Sequence, residues 1–413
     1  MNSRRVIVVG GGAAGVFAAI ACAEATPGAE VTVLEKGPEF LAKVRISGGG
    51  RCNVTHACFE PRELAERYPR GGRALIGPFK RFQPRDTVAW FEARGAELKK
   101  EGDGRMFPVS DDSQTIVDCL LRAAKAAGVK LLARQSVKRA TRRAGGGFEL
   151  TLFSGDVLRC DRLLLATGGC RTVAAGELAV SLGHTLEPPV PSLFTFHIET
   201  PWLRELAGIS VEMAEASVPS TGLRERGALL ATHWGLSGPA ILRLSAWGAR
   251  KLHDLEYKFP LHVNWLPHLN AEAIATELQL RRDRQPDKLV VNTPIPSLPA
   301  RLWERLVLAG GAGRDTRWRV ISRAVQHRLV QQLIRTELPV TGKSMNKEEF
   351  VTCGGVQLGE VDFKTMESRV CPGLHLAGEL LDVDGVTGGF NFQAAWTTGW
   401  IAGRAMAGGL ENG

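Results

Sequence analysis

Several features typical of other protein classes are missing from this 413-residue sequence. No stretch reaches about 18 consecutive apolar residues, so we expect no membrane-spanning helix. The 8 cysteines form no C-x-x-C pair, and no cluster of cysteine and histidine has the spacing of a zinc site. From this spacing we expect no metal site. Because a chain of this length builds its core without disulfides, we expect reduced thiols, which are typical of a cytoplasmic protein.

The amino terminus also lacks the pattern of a cleaved secretory signal. Its apolar run is interrupted by Gly10, Gly11 and Gly12, and no small-residue cleavage pattern follows, so we interpret the run as a first strand. Hydrophobic residues make up 44% and charged residues 23% of the chain, which excludes a disordered chain, a collagen-like repeat and a coiled coil. The length predicts two or three domains.

Acidic residues are fewer than basic ones, 43 against 52, and the basic excess is local. Residues 281–343 hold 13 Lys/Arg and 5 Asp/Glu, and residues 43–85 hold 10 and 3. Such patches attract polyanions. Two explanations remain open: a solvated basic face with a few contacts to cofactor phosphates, or a surface for nucleic acid or another polyanion.

Three short apolar runs each end at glycine. They cover residues 5–9, 163–166 and 374–377, and they predict buried parallel strands. A helix over 16–25 and a strand over 31–34 complete one βαβ unit with the first run.

A different pattern separates these runs. Residues 193–268 alternate between apolar and polar in short stretches, which predicts antiparallel strands, and residues 269–345 have a helical pattern. We therefore predict an α/β fold in which a discontinuous Rossmann-like domain, residues 1–192 and 346–413, carries a β-rich insertion followed by a helical, basic part.

The most informative motif is a dinucleotide fingerprint directly after the first strand. Gly10 permits the tight turn, Gly12 lets the backbone approach a pyrophosphate, and Gly15 lets the helix pack closely on the strand. The start of the helix offers N–H groups to the phosphates. Glu35, twenty residues beyond Gly15, is placed to accept hydrogen bonds from both ribose hydroxyls, which favours FAD or NAD over NADP.

A second glycine-rich segment near the carboxyl end favours FAD over NAD. Gly378, Glu379 and Asp382 are followed by Gly388-Gly389-Phe390-Asn391-x-Gln393 and an apolar helix reaching about Met406. In flavoproteins such a segment meets the ribityl chain through a carboxylate. The following helix directs its positive end at the flavin, where it stabilises the anionic reduced ring.

These motifs resemble the BaiN/RdsA (YhiN-like) family of FAD-dependent oxidoreductases over nearly the whole chain. The most specific part is the segment from Lys43 through Ser47-Gly48-x-Gly50-Arg51-Cys52-Asn53; the others are residues 166–169, 233–240 and 352–356. The resemblance implies an FAD domain of the glutathione-reductase type, interrupted by a β-barrel-like domain and a small helical domain. It also implies reduction of a conjugated C=C bond, in bile-acid intermediates for one branch and in a ribosomal RNA uridine for another.

The reductant implied is NADH or NADPH, visiting the flavin transiently because the chain has one dinucleotide fingerprint. The predicted cofactor-binding residues are Gly10, Gly12, Ala13, Ala14, Gly15, Glu35, Lys36, Lys43, Ser47, Gly48, Gly50, Arg51, Cys52, Asn53, Val137, Thr167, Gly168, Gly378, Glu379, Gly389, Phe390, Asn391 and Gln393.

Reduction of an activated double bond also needs a proton donor. The Cys52 thiol, with an ordinary pKa of about 8.5, is protonated at neutral pH and is one candidate; Cys353 and His233 are others. Each has an alternative reading as a packing or structural residue. A redox sensor using Cys52 or Cys353 is a further alternative to the reductase.

Arginines in the helical part form the candidate site for RNA: Arg281, Arg282, Arg317, Arg319 and Arg323. The spacing of 319 and 323 predicts two side chains on one helix face, and Trp303 and Trp318 are candidates for stacking a base. A solvated face with the tryptophans in a core is the alternative. Ribosomal RNA, a small-molecule enone and a non-catalytic RNA-binding role therefore all remain open, as does the oligomeric state.

Overall fold

The computed structural model describes residues 4–170, 173–344 and 351–408, without the side chains of residues 173–175. The chain divides into two compact units, Met1–Pro191 with Lys347–Gly413, and Ser192–Asn346. The predicted boundary between residues 345 and 346 lies outside the described residues. We call the first unit the glycine-loop unit and the second the insertion.

Strands and helices are numbered separately, in chain order. The part before the insertion contains β1 (Arg5–Val9), α1 (Ala13–Ala25), β2 (Glu30–Leu34), α2 (Ala42–Ile46), β3 (Thr55–His56), α3 (Pro61–Ala65), α4 (Gly72–Arg81), α5 (Pro84–Glu92), β4 (Leu98–Lys100), β5 (Arg105–Pro108), α6 (Ser113–Ala126), β6 (Lys130–Leu132), β7 (Val137–Arg142), β8 (Phe148–Leu152), β9 (Val157–Cys160), β10 (Arg162–Leu165), α7 (Val173–Ser181) and β11 (Leu186–Ser192).

The insertion contains β12 (Thr195–Ile198), α8 (Pro201–Arg204), β13 (Ser210–Val218), β14 (Leu223–Thr232), β15 (Gly235–Ser237), α9 (Pro239–Trp247), α10 (Ala249–Asp254), β16 (Phe259–Asn264), α11 (Ala271–Arg284), α12 (Ala300–Ala309), α13 (Arg323–Ile334) and β17 (Thr336–Ser344). The closing part contains β18 (Val351–Val356), β19 (Val361–Asp362), β20 (Glu367–Ser368), β21 (Leu374–Leu376) and α14 (Phe390–Met406).

The central sheet of the glycine-loop unit has the order β19-β20-β21-β10-β1-β2-β6. The five strands from β21 to β6 are parallel, and each of β1, β10 and β21 is almost wholly buried. Continuous burial explains why these strands are uninterrupted apolar runs in the sequence. The predicted strands are therefore present, and their carboxyl ends meet at one edge of the sheet.

Helices α1 and α14 lie against each other and run in the same direction. Gly399 faces Ala14, where an added Cβ would lie 2.6 Å from the Ala14 carbonyl oxygen, and Gly403 faces Ala18, where the distance would be 2.3 Å. Glycine at both positions lets the two backbones approach this closely. Because α14 starts nine residues before Gly399, its first residues extend about 13 Å beyond the start of α1.

The insertion is a closed six-stranded barrel, β12-β15-β14-β13-β16-β17, joined to helices. Strand β17 lies at the end of the segment predicted to be helical. Its residues Thr336, Leu338 and Val340 alternate with exposed ones, so the strand closes the barrel with one buried face. Helices α9 and α10 in turn lie within the segment predicted to be β-rich.

The tryptophans of the insertion belong to its core. Trp303 and Trp318 have no exposed surface, and their indole nitrogens donate to the Val290 carbonyl at 2.7 Å and the Thr293 hydroxyl at 2.8 Å. They are therefore not available to stack a base, and the alternative reading of core residues is correct. Within the described ranges, no helix is long and apolar enough to cross a membrane.

Candidate functional site

The first part of the site is the turn between β1 and α1. Gly10 has φ +115°, and an added Cβ would lie 2.2 Å from the Ala166 carbonyl oxygen. A Cβ at Gly15 would lie 2.0 Å from the Gly10 carbonyl oxygen. Gly12 differs, because a Cβ there would meet no atom within 4 Å. The turn is therefore closely packed on its protein side and open at the residue expected to face a pyrophosphate.

Glu35 closes one end of this turn. Its carboxylate accepts the Gly11 N–H and the Gly37 N–H, both at 2.7 Å, which holds the end of β2 beside the glycine turn. The backbone N–H of Gln135 donates to the Glu35 carbonyl, so the chain leading to Val137 runs alongside. Lys36 is exposed next to them. This arrangement presents a carboxylate, and a neighbouring strand, where the ribose and adenine of a dinucleotide are expected.

The loop after α2 has an unusual backbone. Gly48, Gly49, Gly50 and Cys52 all have φ between +59° and +84°. The Ser47 carbonyl accepts the N–H groups of Gly50 and Cys52, which closes the loop on itself. No atom lies within 4 Å of a Cβ added at Gly49 or Gly50, so this face of the loop is also open.

The loops after β10 and β21 complete the edge of the sheet. A Cβ at Gly168 would meet no atom within 4 Å, whereas one at Gly169 would lie 2.8 Å from a Glu379 carboxylate oxygen. Glu379 also pairs with Lys43 at 2.6 Å and accepts the Thr352 N–H at 3.0 Å. Gly378 packs on Ala14, where an added Cβ would come within 2.8 Å of the Ala14 side chain. One ion pair thus joins α2 to the closing part of the chain.

Three side chains form hydrogen bonds with the backbone at or just before the start of α14. In the amide orientation that satisfies both neighbours, Asn53 accepts the Gly389 N–H at 2.9 Å and donates to the Thr55 carbonyl at 3.0 Å. Asn391 exchanges two hydrogen bonds with Gly385, at 2.8 and 2.9 Å. The Phe390 carbonyl accepts the Tyr68 hydroxyl at 2.6 Å. These partners position the helix end itself.

Gln393 is completely buried. Its side-chain oxygen accepts from the hydroxyls of Thr55 and Thr87, and its nitrogen donates to Thr397 at 3.1 Å. Like Asn391, Gln393 therefore has protein partners for its side chain. The sequence predicted Asn391 and Gln393 as cofactor-binding residues. In the structure the side chains of both form hydrogen bonds within the protein and hold the start of the helix.

The candidate proton donors lie in different surroundings. Cys52 is fully buried, and burial raises the pKa of its thiol to about 12, against a smaller opposite effect of its hydrogen bond with Ser47. That environment favours the reading of Cys52 as a packing residue. Cys353 is buried in β18, and His233 is exposed in the turn between β14 and β15 of the insertion.

Arg51 is paired with acidic side chains at the protein surface. Its guanidinium contacts Glu101 at 2.7 Å and Asp111 at 3.3 Å, and it lies 4.0 Å from the centre of the Phe107 ring. The hydrogen bond to Glu101 is the largest of the effects that raise the Arg51 pKa. The Arg51 side chain, predicted to bind the cofactor, therefore has acidic partners at the protein surface.

Three of the five arginines predicted for RNA have local partners. Arg281 pairs with Glu277 at 2.8 Å and donates to the carbonyls of Thr293 and Pro294. Arg317 donates to the Asp287 carbonyl, and Arg319 pairs with the Asp287 carboxylate at 2.6 Å. Arg282 and Arg323 are on α11 and α13.

The prediction that residues 319 and 323 share one helix face is wrong. Arg319 lies in a short 3-10 turn, Trp318–Val320, and Arg323 begins α13 after the capping residue Ser322. A serine whose side chain accepts the Val325 N–H starts a new helix here, so the two arginines are not on one helix.

Sequence reasoning missed several residues that build the site. Tyr68, one of the 2 tyrosines, is buried against Phe390, and Arg70 forms an ion pair with the fully buried Asp384 in the loop before α14. Phe40 packs on Gly11, where a Cβ would come within 2.4 Å of its ring. The scarcity of tyrosine was the one signal available, because ion pairs between distant segments leave no local pattern.

These residues fit an FAD. The open positions Gly12, Gly49, Gly50 and Gly168 lie on three loops at one sheet edge, and an added side chain at any of them would project into empty space. An extended dinucleotide needs such bare backbone along its pyrophosphate, a carboxylate for its ribose and a helix start for its ring. Glu35 and the projecting start of α14 supply the last two.

Comparison with known proteins identifies the family of the chain. The family model described as "HI0933-like protein Rossmann domain" matches residues 4–405. A ribosomal RNA dihydrouridine synthase of Escherichia coli is 31% identical over 97% of each chain. A 3-dehydro-bile acid delta(4,6)-reductase of Clostridium scindens is 29% identical over 98% of this chain and 99% of its own. The predicted family is thereby confirmed.

Solved structures of flavoenzymes share the fold. A 3-ketosteroid delta1-dehydrogenase from Sterolibacterium denitrificans gives a TM-score of 0.53 at 12% identity, covering 99% of this chain and 100% of its own. A 3-ketosteroid-delta4-(5alpha)-dehydrogenase from Rhodococcus jostii gives 0.50 at 14% identity, covering 98% and 97%. At this identity the likeness concerns the fold alone.

Proposed function

Because the chain belongs to the HI0933-like family of FAD-dependent oxidoreductases, we propose that it passes hydride from NADH or NADPH through FAD to a conjugated C=C bond. The observation that carries the proposal is the meeting of three open glycine loops, Glu35 and the start of α14 at one edge of the sheet. We further propose the glutathione-reductase arrangement for the FAD domain, since the closing strand β21 joins the central sheet beside β10.

The chain's own residues would bind and orient the cofactor. The N–H groups at the start of α1 and the bare backbone at Gly12 would receive the pyrophosphate, and Glu35 would accept the ribose hydroxyls. The first N–H groups of α14 would face the ring with the positive end of the helix dipole. Bound FAD would supply hydride transfer at its ring; the protein would supply position and charge.

The leading substrate candidate is a uridine of ribosomal RNA, which would be reduced to dihydrouridine. Two observations support it: the 31% identical relative with that named activity, and the excess of basic residues at 43–85. A uridine within RNA would have to be turned out of its stack to reach a flavin, since a base inside a helix is inaccessible. A cytoplasmic location would follow from such a substrate.

The second candidate is a small enone. The observation that favours it is the 29% identical bile acid reductase, which matches over the same length as the RNA-modifying relative. The redox-sensor reading has less support, because the Cys52 thiol is fully buried with a pKa raised to about 12.

The first test is the cofactor. The protein, purified without added flavin, should be yellow and release FAD on denaturation. Anaerobic mixing with NADH or NADPH should bleach it, and the faster reductant identifies the nicotinamide used. A protein that releases NAD, or stays colourless after incubation with excess FAD, would contradict the proposal. The E35Q variant provides the matched comparison, since it removes one charge where the ribose is expected.

The second test separates the two substrates. Nucleoside mass spectrometry of ribosomal RNA from cells with and without the gene should show less dihydrouridine in the deletion strain. Restoration by the intact gene but not by a variant unable to hold FAD would link the modification to the flavin. Unchanged dihydrouridine, together with turnover of a dienone by the purified protein, would leave the small-molecule reductase.

A further inference from the structure

Helix α4 in the glycine-loop unit is amphipathic and strongly basic. From Gly72 to Arg85 the chain contains four basic residues and no acidic one. Leu75 and Phe79 are buried, whereas Arg73, Lys80 and Arg81 are exposed on the opposite face. At helical spacing, residues 73, 77, 80 and 81 share that face.

This face also has bare backbone at its centre. Gly77 lies between Arg73 and Arg81, and a Cβ added there would meet no atom within 4 Å. A bulky, charged ligand can therefore approach the helix between its cations without a side chain in the way.

Most of these cations have no anionic partner. Among the described residues, Arg73, Lys80 and Arg85 form no ion pair, and Arg81 donates to the Lys364 backbone carbonyl, which leaves its charge uncompensated. Asp86, the first acidic residue after this stretch, belongs to the capping box of α5, where its carboxylate accepts the N–H of the N-cap residue Gln83 at 2.8 Å. Compare Arg281 and Arg319 of the insertion, which are both paired.

An aromatic ring is exposed beside one of these cations, Arg85. Phe59 is 38% exposed, and the Arg85 guanidinium lies 5.3 Å from its ring centre. Exposed rings among basic residues are what proteins use to stack unpaired bases while cations hold the phosphates. Glu60 and Glu63 are exposed nearby, so the attraction is concentrated on α4 and the start of α5 rather than on α3.

The helix that carries most of these cations packs, through its buried face, towards the proposed flavin end of the site. Tyr68, in the turn leading to α4, donates to the Phe390 carbonyl at the start of α14, and its ring lies 5.4 Å from Phe79 of α4. Next to it, the Arg67 carbonyl accepts the Val386 N–H at 2.9 Å, in the loop before α14. The buried face of α4 thus packs towards the start of α14, and RNA held on the opposite, basic face would lie about one helix diameter, roughly 10 Å, from the helix start that is proposed to face the flavin ring.

We propose that Arg73, Lys80, Arg81, Arg85 and Phe59, here called the α4 surface, bind single-stranded RNA next to the active site. This proposal rests on the proposed function, because only a reductase that acts on RNA needs to hold RNA near its flavin. It relocates the contact with RNA from the insertion arginines to the glycine-loop unit. The cations would hold successive phosphates, and Phe59 would stack one base.

The experiment measures RNA binding directly. A fluorescein-labelled, uridine-containing stem-loop of about 20 nucleotides is titrated with FAD-loaded protein at several salt concentrations, and binding is followed by anisotropy. R73E/K80E/R85E should weaken binding at least about tenfold. It should also reduce the slope of log K against log salt concentration by about 2, because each contact with a phosphate of a single strand contributes about 0.7 to that slope. F59A should weaken binding about fivefold or more through lost stacking.

The matched control is K138E/R139E/R143E, which reverses three exposed cations of the same unit on and after β7. It should bind RNA within about twofold of the unaltered protein. Flavin absorbance of each variant verifies that the unit is folded and loaded. Equal weakening by both triple variants, or unaltered binding by R73E/K80E/R85E, would overturn the α4 surface.

Two further outcomes separate this proposal from the reductase function. If the unaltered protein binds no RNA yet is yellow and bleached by a nicotinamide, the α4 surface is wrong and the reductase stands. If the protein binds RNA through the α4 surface but never holds flavin, the surface stands and the reductase falls. Charge-dependent binding to phosphatidylserine vesicles without binding to RNA would also overturn the proposal.

Discussion

The glycine loops and the arginines of the insertion differ in the groups that a ligand could contact: open backbone in the loops, and charged side chains in the insertion. At the sheet edge, Gly12 and Gly168 leave backbone open because their closely packed neighbours, Gly10 and Gly169, fix the loops from behind. In the insertion, Arg281 and Arg319 are instead occupied by Glu277 and Asp287. A site made from backbone is built by the fold itself, whereas a charged side chain is available only if no neighbour neutralises it.

The largest effect should come from the core of the insertion. Trp303→Ala removes a fully buried ring and its hydrogen bond to the Val290 carbonyl, and should lower the free energy of unfolding by about 3–5 kcal/mol. Urea unfolding followed by circular dichroism measures this. Trp303→Phe keeps most of the volume and should cost clearly less. A Trp303→Ala protein with unchanged stability would mean that the ring is free for a ligand after all.

The glycine loops should respond in cofactor binding and not in stability. Gly12 has φ −84°, so alanine is conformationally allowed, and its methyl group would project into the open groove. We expect Gly12→Ala to weaken FAD binding roughly 100-fold, or about 3 kcal/mol, with unaltered unfolding of the flavin-free protein. Flavin titration measures it. Gly359→Ala, at an exposed glycine with equal space, is the control and should keep FAD; equal FAD affinity in both would disprove the open groove.

Acid should destabilise the glycine-loop unit through a buried histidine. Burial lowers the pKa of His375 on β21 to about 4, against an opposite effect of Glu367. In the unfolded chain the His375 pKa has its ordinary value of about 6.5, so between about pH 6.5 and 4 the unfolded state binds a proton that the folded state does not bind. The stabilisation is therefore complete above about pH 6.5 and is lost as the pH falls towards 4. Between about pH 7.5 and 4.5 the loss should reach about 2–3 kcal/mol.

His375→Gln tests this sign, because it removes the titrating group. The variant should show a smaller change in urea midpoint between the two pH values than the unaltered protein. An identical pH dependence in both proteins would assign the acid sensitivity to other groups.

The smallest effects separate the two basic regions. Arg281→Ala breaks an ion pair and two hydrogen bonds to carbonyls at a largely buried position, and should cost about 1–2 kcal/mol of unfolding free energy. Arg319→Ala breaks an exposed pair and should cost at most about 0.5 kcal/mol. Thermal unfolding compares them. Neither should change RNA binding; a loss in Arg319→Ala would return the contact with RNA to the insertion.

The elements that sequence reasoning predicted well depend on short-range patterns. The run Arg5–Val9, the glycine turn after it and the last helix ending at Met406 all have a local signature of burial or of glycine spacing. Strand β17 was missed because its alternation covers few residues and follows directly on α13. The break between Arg319 and Arg323 was missed because a serine cap interrupts a spacing that otherwise reads as helical.

The sequence alone determined the dinucleotide turn and the acidic residue that accompanies it, since both belong to one βαβ unit. It also determined the family, through short motifs spread over nearly the whole chain. Only the tertiary structure decided which side chains remain free to act. Burial of Cys52, Trp303 and Trp318, and the contact of Arg85 with the exposed Phe59 ring, depend on residues that are distant in the chain. Packing brings those residues into contact, and no local pattern records them.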